Sequence, residues 1–403
     1  MIAKPFLQAV PVLELIEESG FEAYFVGGSV RDHILGREIS DVDIATSALP
    51  DELKEIFPKT VDLGIEHGTI LVHYRGESYE ITTFRSEAGY TDFRRPDQVS
   101  FIRSLRDDLQ RRDFTMNAIA MDKEGNILDP FSGVEAISQK KIATVGNPEE
   151  RFGEDALRML RAVRFLSQLC FSIEKRTYDS LVKQCHLLDN IAVERKTVEF
   201  EKMLKGQNRN EAIRLLASSG MHQYLPGLKN HTEPLFQFSV SLFKDLQISE
   251  AWVLLLFHLE LKGKEVEEFL RSWKLPVQTI KRYKLIYSWV LERNNGQSWT
   301  VETVYKAGID IALSAEKVFT CLHTGKDESR RIIHLYESLP IRNRQELMVS
   351  GNDIMSWLGE KPGPWLRDVL EEVERAVING KVPNDKEKIK VWLNGLNRKS
   401  EKS

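Results

Sequence analysis

Ser40-Asp41-Val42-Asp43-Ile44-Ala45-Thr46 (SDVDIAT), a little downstream of Val26-Gly27-Gly28-Ser29-Val30-Arg31-Asp32 (VGGSVRD), puts two carboxylates one residue apart in an apolar run. On a strand, side chains at i and i+2 share a face, where unscreened like charges repel. A shared divalent cation offsets that repulsion, and Asp41 with Asp43 has the spacing to hold one or two Mg²⁺ ions against a triphosphate. The same pair also occurs as solvated turn residues, so its meaning depends on its neighbourhood. Upstream, the apolar AYFV run enters Gly27-Gly28-Ser29 and passes straight into a helix that closes near Gly36. Backbone N–H groups and a helix start then face whatever lies there, a setting suited to an anion, and Arg31 adds charge at the same place. The Walker pattern is absent, which disfavours a P-loop NTPase.

The chain has 403 residues, 42% hydrophobic and 29% charged, with a formal net charge of −4. That length exceeds one compact core and implies several domains of ordinary globular composition. No apolar run approaches the ~18 residues of a membrane span. The N-terminal segment carries Pro11 and acids where a signal peptide keeps an unbroken apolar stretch. The expectation is a cytoplasmic protein without a membrane partner. Cys170, Cys185 and Cys321 are widely spaced and form no Cys-x-x-Cys pair, which argues against a disulfide framework or a zinc site. The acidic balance hides a basic end: from Lys381 onward seven Lys or Arg stand against three acids. Such a tail is either solvated or touches phosphates.

Residues 1–145 mix helix and strand signals, including a hairpin in GTILVHYRGESYEITTF that turns at Arg75-Gly76-Glu77. Glu80 on that hairpin is the candidate third carboxylate beside Asp41 and Asp43, although strand register is not legible from one sequence. Ser86–Val99 is a polar stretch long enough to be a functional loop. Later segments are amphipathic helices, and all seven tryptophans fall in the last two fifths of the chain, where packing between helices is their first use.

Two arginine-bearing stretches extend the chemistry. In RRDFTMNAIAMD, Arg111 to Asp122, paired guanidiniums precede an acid and an expected apolar helix, and their fork suits phosphate or ribose oxygens. In EDALRMLRAVRFLSQL, a helical projection puts Asp155, Arg158, Arg161 and Arg164 on one arc and Ala156, Met159, Leu160, Val163 and Leu166 on the other. Leu157 and Phe165 break the polar arc. Three arginines without matching acids repel one another unless an anion lies across them, so a ligand site is expected there.

GGSVRD with DVDIATSA, then EITTFR, RRDFTMNA, DPFSG and EDALRMLRAVRF, form an ordered set that resembles the class II CCA-adding enzymes, tRNA nucleotidyltransferases of the polymerase-beta-type superfamily. The resemblance implies an α+β chain: a small mixed α/β nucleotidyltransferase head at 1–145, then an all-helical neck at 146–225, body at 226–300 and tRNA-binding tail at 301–403, together seahorse-shaped. It implies template-independent addition of C, C and A to tRNA from CTP and ATP, with Mg²⁺ as cofactor. Asp41 and Asp43 are then metal ligands. Gly28, Arg31 and Arg112 contact triphosphate or ribose, Asp155 and Arg158 read the base, and Arg161 and Arg164 add nucleotide contacts. A carboxylate and a guanidinium supply an acceptor and donors, so protein side chains can pair with the edges of C and A without a template. The apolar-Gly-Arg-Arg-Phe marker of bacterial poly(A) polymerase has no counterpart in EHGTILVHY, Glu66 to Tyr74. A-only addition, poly(A) polymerase activity and, more remotely, a small-molecule acceptor stand as alternatives, and a homodimer is left open.

Overall fold

The structure, a computed structural model, describes residues 2–64, 68–89, 98–242, 245–323 and 327–400. The chain divides into two compact units, Met1–Val240 with Ser272–Lys274, and Ser241–Arg271 with Leu275–Ser403. No helix among the described residues is long and apolar enough to cross a membrane.

The first unit opens with α1 (Lys4–Glu18), whose buried stripe Phe6, Ala9, Val12, Leu13 and Ile16 follows the helical period. Phe6 meets Phe25 of β1 (Ala23–Val26) with ring centroids 4.8 Å apart. Next come α2 (Gly28–Ile34), β2 (Asp43–Thr46), α3 (Pro50–Ile56), β3 (Thr60–Gly64), β4 (Thr69–Tyr74) and β5 (Glu77–Thr83). β4 and β5 form the expected hairpin. Arg75 and Gly76 both take positive φ, 50° and 89°, as a tight two-residue turn matched to strand twist requires.

After β5 the chain forms β6 (Arg85–Ala88) and β7 (Gln98–Phe101), which pair as a separate ribbon. The polar segment Ser86–Val99 therefore starts and ends on strands, and its tip, residues 90–97, lies outside the described residues. Beyond α4 (Leu105–Gln110), the stretch expected to be an apolar helix is instead a single 3-10 turn, Thr115–Asn117, followed by β8 (Ala120–Met121) and β9 (Ile127–Leu128). Ala118 to Met121 are completely buried, and a short, uninterrupted apolar run of this kind suits a strand inside a sheet better than one face of a helix. The main sheet has the order β3-β4-β5-β2-β1-β8-β9. Its pivotal pair is β2 with β5, parallel neighbours whose register sets Asp43 directly across from Glu80.

The helices that follow in this unit include α5 (Gly133–Ser138), α6 (Pro148–Glu154), α7 (Leu157–Leu169), α8 (Lys175–Gln184) and α9 (Val193–Leu204). The helix expected to run through Asp155 is broken there. Asp155 is extended (φ −137°, ψ 101°), and its Oδ1 accepts from the Leu157 backbone N–H at 3.0 Å, capping the new helix. α7 is buried on nearly every side, Leu157 and Phe165 included, which explains why those two residues did not fit a two-faced pattern. α7 and α9 approach closely. A Cβ on Gly206, just past α9, would lie 2.1 Å from Ser167 Oγ and 2.6 Å from the Ser167 carbonyl carbon, so only glycine fits. The Ser167 hydroxyl also donates to the Met203 carbonyl at 2.6 Å.

The second unit is helical. Its buried polar anchor is Glu316, fully enclosed, which accepts from Arg293 Nε at 2.9 Å and Trp299 Nε1 at 2.7 Å. Trp252 and Trp299 are enclosed among helices, as their expected packing use requires. Toward the C-terminus Ile341, Val349, Ile354, Val377, Ile389 and Leu393 share one hydrophobic core, against which Val301 and Tyr305 also pack.

Candidate active site

Gly27 joins β1 to α2 at φ 73°, and a Cβ there would meet Arg112 Nη1 at 3.1 Å and Asp43 Oδ2 at 3.7 Å. Glycine thus serves the turn and lets a guanidinium and a carboxylate close over it. Asp43 is the first residue of β2 and Asp41 lies just before the strand, so the two aspartates do not share one continuous strand as expected. Their carboxylates still line one cleft of about 690 Å³ with Glu77 and Glu80. Burial in that cleft pushes the Asp43 carboxyl above the usual carboxylate range, Glu80 and Asp41 push the same way, and Arg112 pulls against them. Asp43 is exposed by residue surface, but a side chain at the floor of a cleft is water-accessible and still poorly solvated.

Among the described residues no three His, Cys, Asp or Glu side chains are arranged to hold a metal ion by themselves. A pair of neighbouring carboxylates nevertheless fits Mg²⁺, which keeps several waters and is commonly bound by one or two carboxylates together with substrate phosphates.

Asp43 also lines a second, larger cavity of about 740 Å³. Nine arginine or lysine side chains border it against four carboxylates, a local net of +5 within a chain that is net −4. Gly28, Arg31, Arg112, Asp155, Arg158, Arg161 and Arg164, all singled out from sequence, lie on its wall. Arg31 is held by Asn117 Oδ1 at 2.7 Å and by Asp32 at 2.9 Å. Arg112 pairs with Asp108 at 3.1 Å, while its buried Nε finds no hydrogen-bond partner among the described residues. The accessible part of that guanidinium on a cationic wall suits a triphosphate oxygen.

The helix arginines do not stand without acids, contrary to expectation. Arg158 pairs with Glu154 at 2.5 Å, Arg161 with Asp113 at 2.5 Å and Arg164 with Glu199 at 3.1 Å. Two of those acids arrive from distant segments, out of reach of any single-helix projection. Phe165 lies beneath three guanidiniums, with Arg164 at 4.2 Å, Arg31 at 5.3 Å and Arg161 at 5.5 Å from the ring centroid. Its π-face offsets some of their mutual repulsion. Burial and the adjacent Arg161 lower the Arg164 guanidinium to about 10.

Residues 23–143 match the family model for the Poly A polymerase head domain, 170–232 the one described as "Probable RNA and SrmB- binding site of polymerase A", and 245–393 the one for tRNA nucleotidyltransferase domain 2. The chain is 48% identical to the CCA-adding enzyme of Geobacillus thermodenitrificans (strain NG80-2) over 99% of both chains. It is 47% identical to that of Listeria monocytogenes serotype 4b (strain CLIP80459) over 96% of this chain and 98% of that one. The fold superposes on the crystal structure of the Bacillus stearothermophilus CCA-adding enzyme in complex with CTP with a TM-score of 0.92, at 43% identity and full coverage of both chains. The chain belongs to the CCA-adding enzymes.

For a CCA-adding enzyme the cavity holds more than the sequence motifs announced. Arg85 and Glu87 enter it from the β6 ribbon and are tied at 2.9 and 3.1 Å to each other and to Arg111, the first of the paired guanidiniums read from sequence. Arg195 and Lys202 enter from α9, and Arg195 grips Asp155 at 2.7 Å. The seven-residue interval between Arg195 and Lys202 spans two helical turns and marks one face. That spacing was the available signal, but nothing in it says what the face meets. Membership in a nucleotidyltransferase family carries with it the use of a divalent metal ion.

Proposed function

We propose that this protein adds C, C and A in turn to the 3′ end of tRNA from CTP and ATP, releasing pyrophosphate, without a nucleic-acid template. The observation that carries the proposal is the position of Asp43, which borders both the carboxylate cleft and the cationic cavity. A triphosphate in the cavity therefore presents its α-phosphate beside the acidic cleft where an acceptor hydroxyl can approach. Asp41 and Asp43 are the residues that would hold Mg²⁺, with Glu80 across the β2–β5 ladder acting on their charge. When bound, the ion lowers the pKa of the attacking hydroxyl and neutralises charge on the phosphates.

The remaining work falls to this chain's own side chains. Gly28, Arg31 and Arg112 orient the triphosphate and ribose, and Arg161 and Arg164 hold the far side of the nucleotide against the Phe165 ring. Asp155 and Arg158 meet the base edge, the first as acceptor and the second as donor. Holding both reactants in line converts an encounter into an intramolecular step, the largest contribution open to a protein with little covalent chemistry to perform. We further propose a cytoplasmic location and a division into head (1–145), neck (146–225), body (226–300) and tail (301–403), with the tail on the tRNA elbow by shape and phosphate contacts.

The test is incubation of the pure protein with tRNA lacking its 3′ end, Mg²⁺, and CTP or ATP separately and together. Two C residues with CTP alone and a complete CCA with both support the proposal. A single A with no C whenever ATP is present assigns A-only addition, and long A tracts assign a poly(A) polymerase.

A further inference from the structure

Asp155 lies in the break between α6 and α7, where no helix fixes its side chain. One hydrogen bond comes from the Leu157 N–H. The rest comes from α9: Arg195 donates through Nη2 to Oδ2 at 2.7 Å and through Nη1 to Oδ1 at 3.3 Å. This two-pronged grip is the geometry a guanidinium makes with a carboxylate and an ammonium cannot. Both side chains line the cationic cavity, with 24% and 16% of their surface exposed for Arg195 and Asp155. A carboxylate has about four acceptor sites, so after three hydrogen bonds capacity remains for one more donor.

Left to itself, Asp155 has a near neighbour of opposite charge. Arg158 follows three residues later, a spacing at which carboxylate and guanidinium readily close on each other. Such closure would neutralise the pair that meets the base. Instead Asp155 is taken by Arg195 and Arg158 by Glu154 at 2.5 Å, so each reading group is held from outside the pair.

We propose that Arg195 is a positioning residue for base choice, fixing the Asp155 carboxylate as an acceptor on the cavity wall. C and A both present an exocyclic amino donor, at N4 and N6, where U and G present a carbonyl oxygen. A fixed acceptor at that point rewards the amino group and repels the carbonyl. An acceptor free to swing away tolerates either. Arg195 thereby governs the preference for CTP over UTP and for ATP over GTP without touching the base. The proposal rests on Asp155 as the base-reading carboxylate, and the experiment separates the two.

The measurement is kcat/KM for CTP, UTP, ATP and GTP on a tRNA primer, with the full-length wild type, Arg195→Gln, Arg195→Lys, Asp155→Asn and the Arg195→Gln/Asp155→Asn double variant. Each preference is a ratio taken on one preparation, so a misfolded fraction cancels. Arg195→Gln is expected to lower both ratios about tenfold or more, the scale of one well-placed base contact, with Arg195→Lys in between. The double variant should be no less selective than Asp155→Asn, because Arg195 acts through that residue. If Asp155→Asn collapses the ratios while Arg195→Gln preserves them, or lowers all four rates in proportion, the role of Arg195 is overturned and the base-reading role of Asp155 stands. If Asp155→Asn leaves the ratios unchanged, both are overturned. Should Arg195→Gln prove inactive, an unchanged ratio in Arg195→Lys overturns the proposal on its own.

Discussion

Asp113→Asn tests whether the cavity wall is held together by charge. Asp113 is buried and its carboxylate answers four donors: Arg161 Nε at 2.7 Å, Arg161 Nη2 at 2.5 Å, Asn117 Nδ2 at 3.1 Å and its neighbour's backbone, Phe114 N, at 2.8 Å. Burial alone would raise the carboxyl, but Arg161, the Asn117 amide and Arg158 outweigh it and hold it at about 2 against an ordinary 3.8. The partner agrees: burial would lower the Arg161 guanidinium, yet Asp113 and Glu199 raise it. A gap of that size favours the ionised folded form by about 2.5 kcal/mol. Because the folded-state value is depressed, that stabilisation is complete above pH ~4 and is lost as pH falls through 4 toward 2, with about half remaining at pH 3. Asp113→Asn should therefore destabilise the first unit by about 2–3 kcal/mol near pH 7, and the penalty should shrink by roughly half at pH 3. Urea-dependent hydrogen exchange of the peptide covering α7 reads this unit without interference from the other. A penalty that stays constant between pH 7 and pH 3, or is absent at pH 7, would refute the assignment.

Asp41→Ala and Asp43→Ala should each reduce kcat by several orders of magnitude while the protein stays folded, since a cation site is removed and carboxylate repulsion is relieved; single-turnover incorporation together with circular dichroism checks both halves, and near-wild-type rates would remove the metal assignment. Asp155→Ala and Arg158→Ala should blur selection among CTP, ATP, UTP and GTP more than they slow transfer, as kcat/KM ratios will report. Cutting the chain before Gly351 would strip eight of the twelve buried residues of the C-terminal core and leave Val301 and Tyr305 uncovered, so aggregation is the expected result of truncation. The basic end is better tested by Lys381→Gln with Lys388→Gln: for every lysine that neutralises a phosphate, its substitution should make the slope of log affinity for tRNA against log salt shallower by about one, and an unchanged slope would exclude these two lysines.

Local chemistry was the legible part. The turn at Arg75-Gly76 and the glycine entry to α2 follow from neighbours in sequence, and each took the expected form. Glu80 was legible as a candidate but not as a partner, because its place beside Asp43 depends on a parallel pairing across a crossover, which no local pattern encodes. The acids that answer Arg161 and Arg164 come from Asp113 and Glu199, 48 and 35 residues away. A helical projection sees one element and counts those charges as unpaired. The break at Asp155 was hidden for a related reason. Alanine, leucine and arginine around it all favour helix, and the interruption is fixed by a side-chain cap and by Arg195 reaching in from α9.

The close approach of Gly206 to Ser167 has a bearing on accuracy. In the function proposed above, the carboxylates that sustain transfer sit at the start of β2 and on β5, whereas those that meet the base sit at the start of α7 and are held from α9, and the glycine turn clasps those two helices together. On that proposal, speed and fidelity have separate mechanical guarantors in one protein. A side chain forced into that turn would prise the helices apart and leave the sheet intact. The product would be an enzyme that still extends its substrate but writes the wrong letters, a lesion invisible to any assay that counts only nucleotides joined.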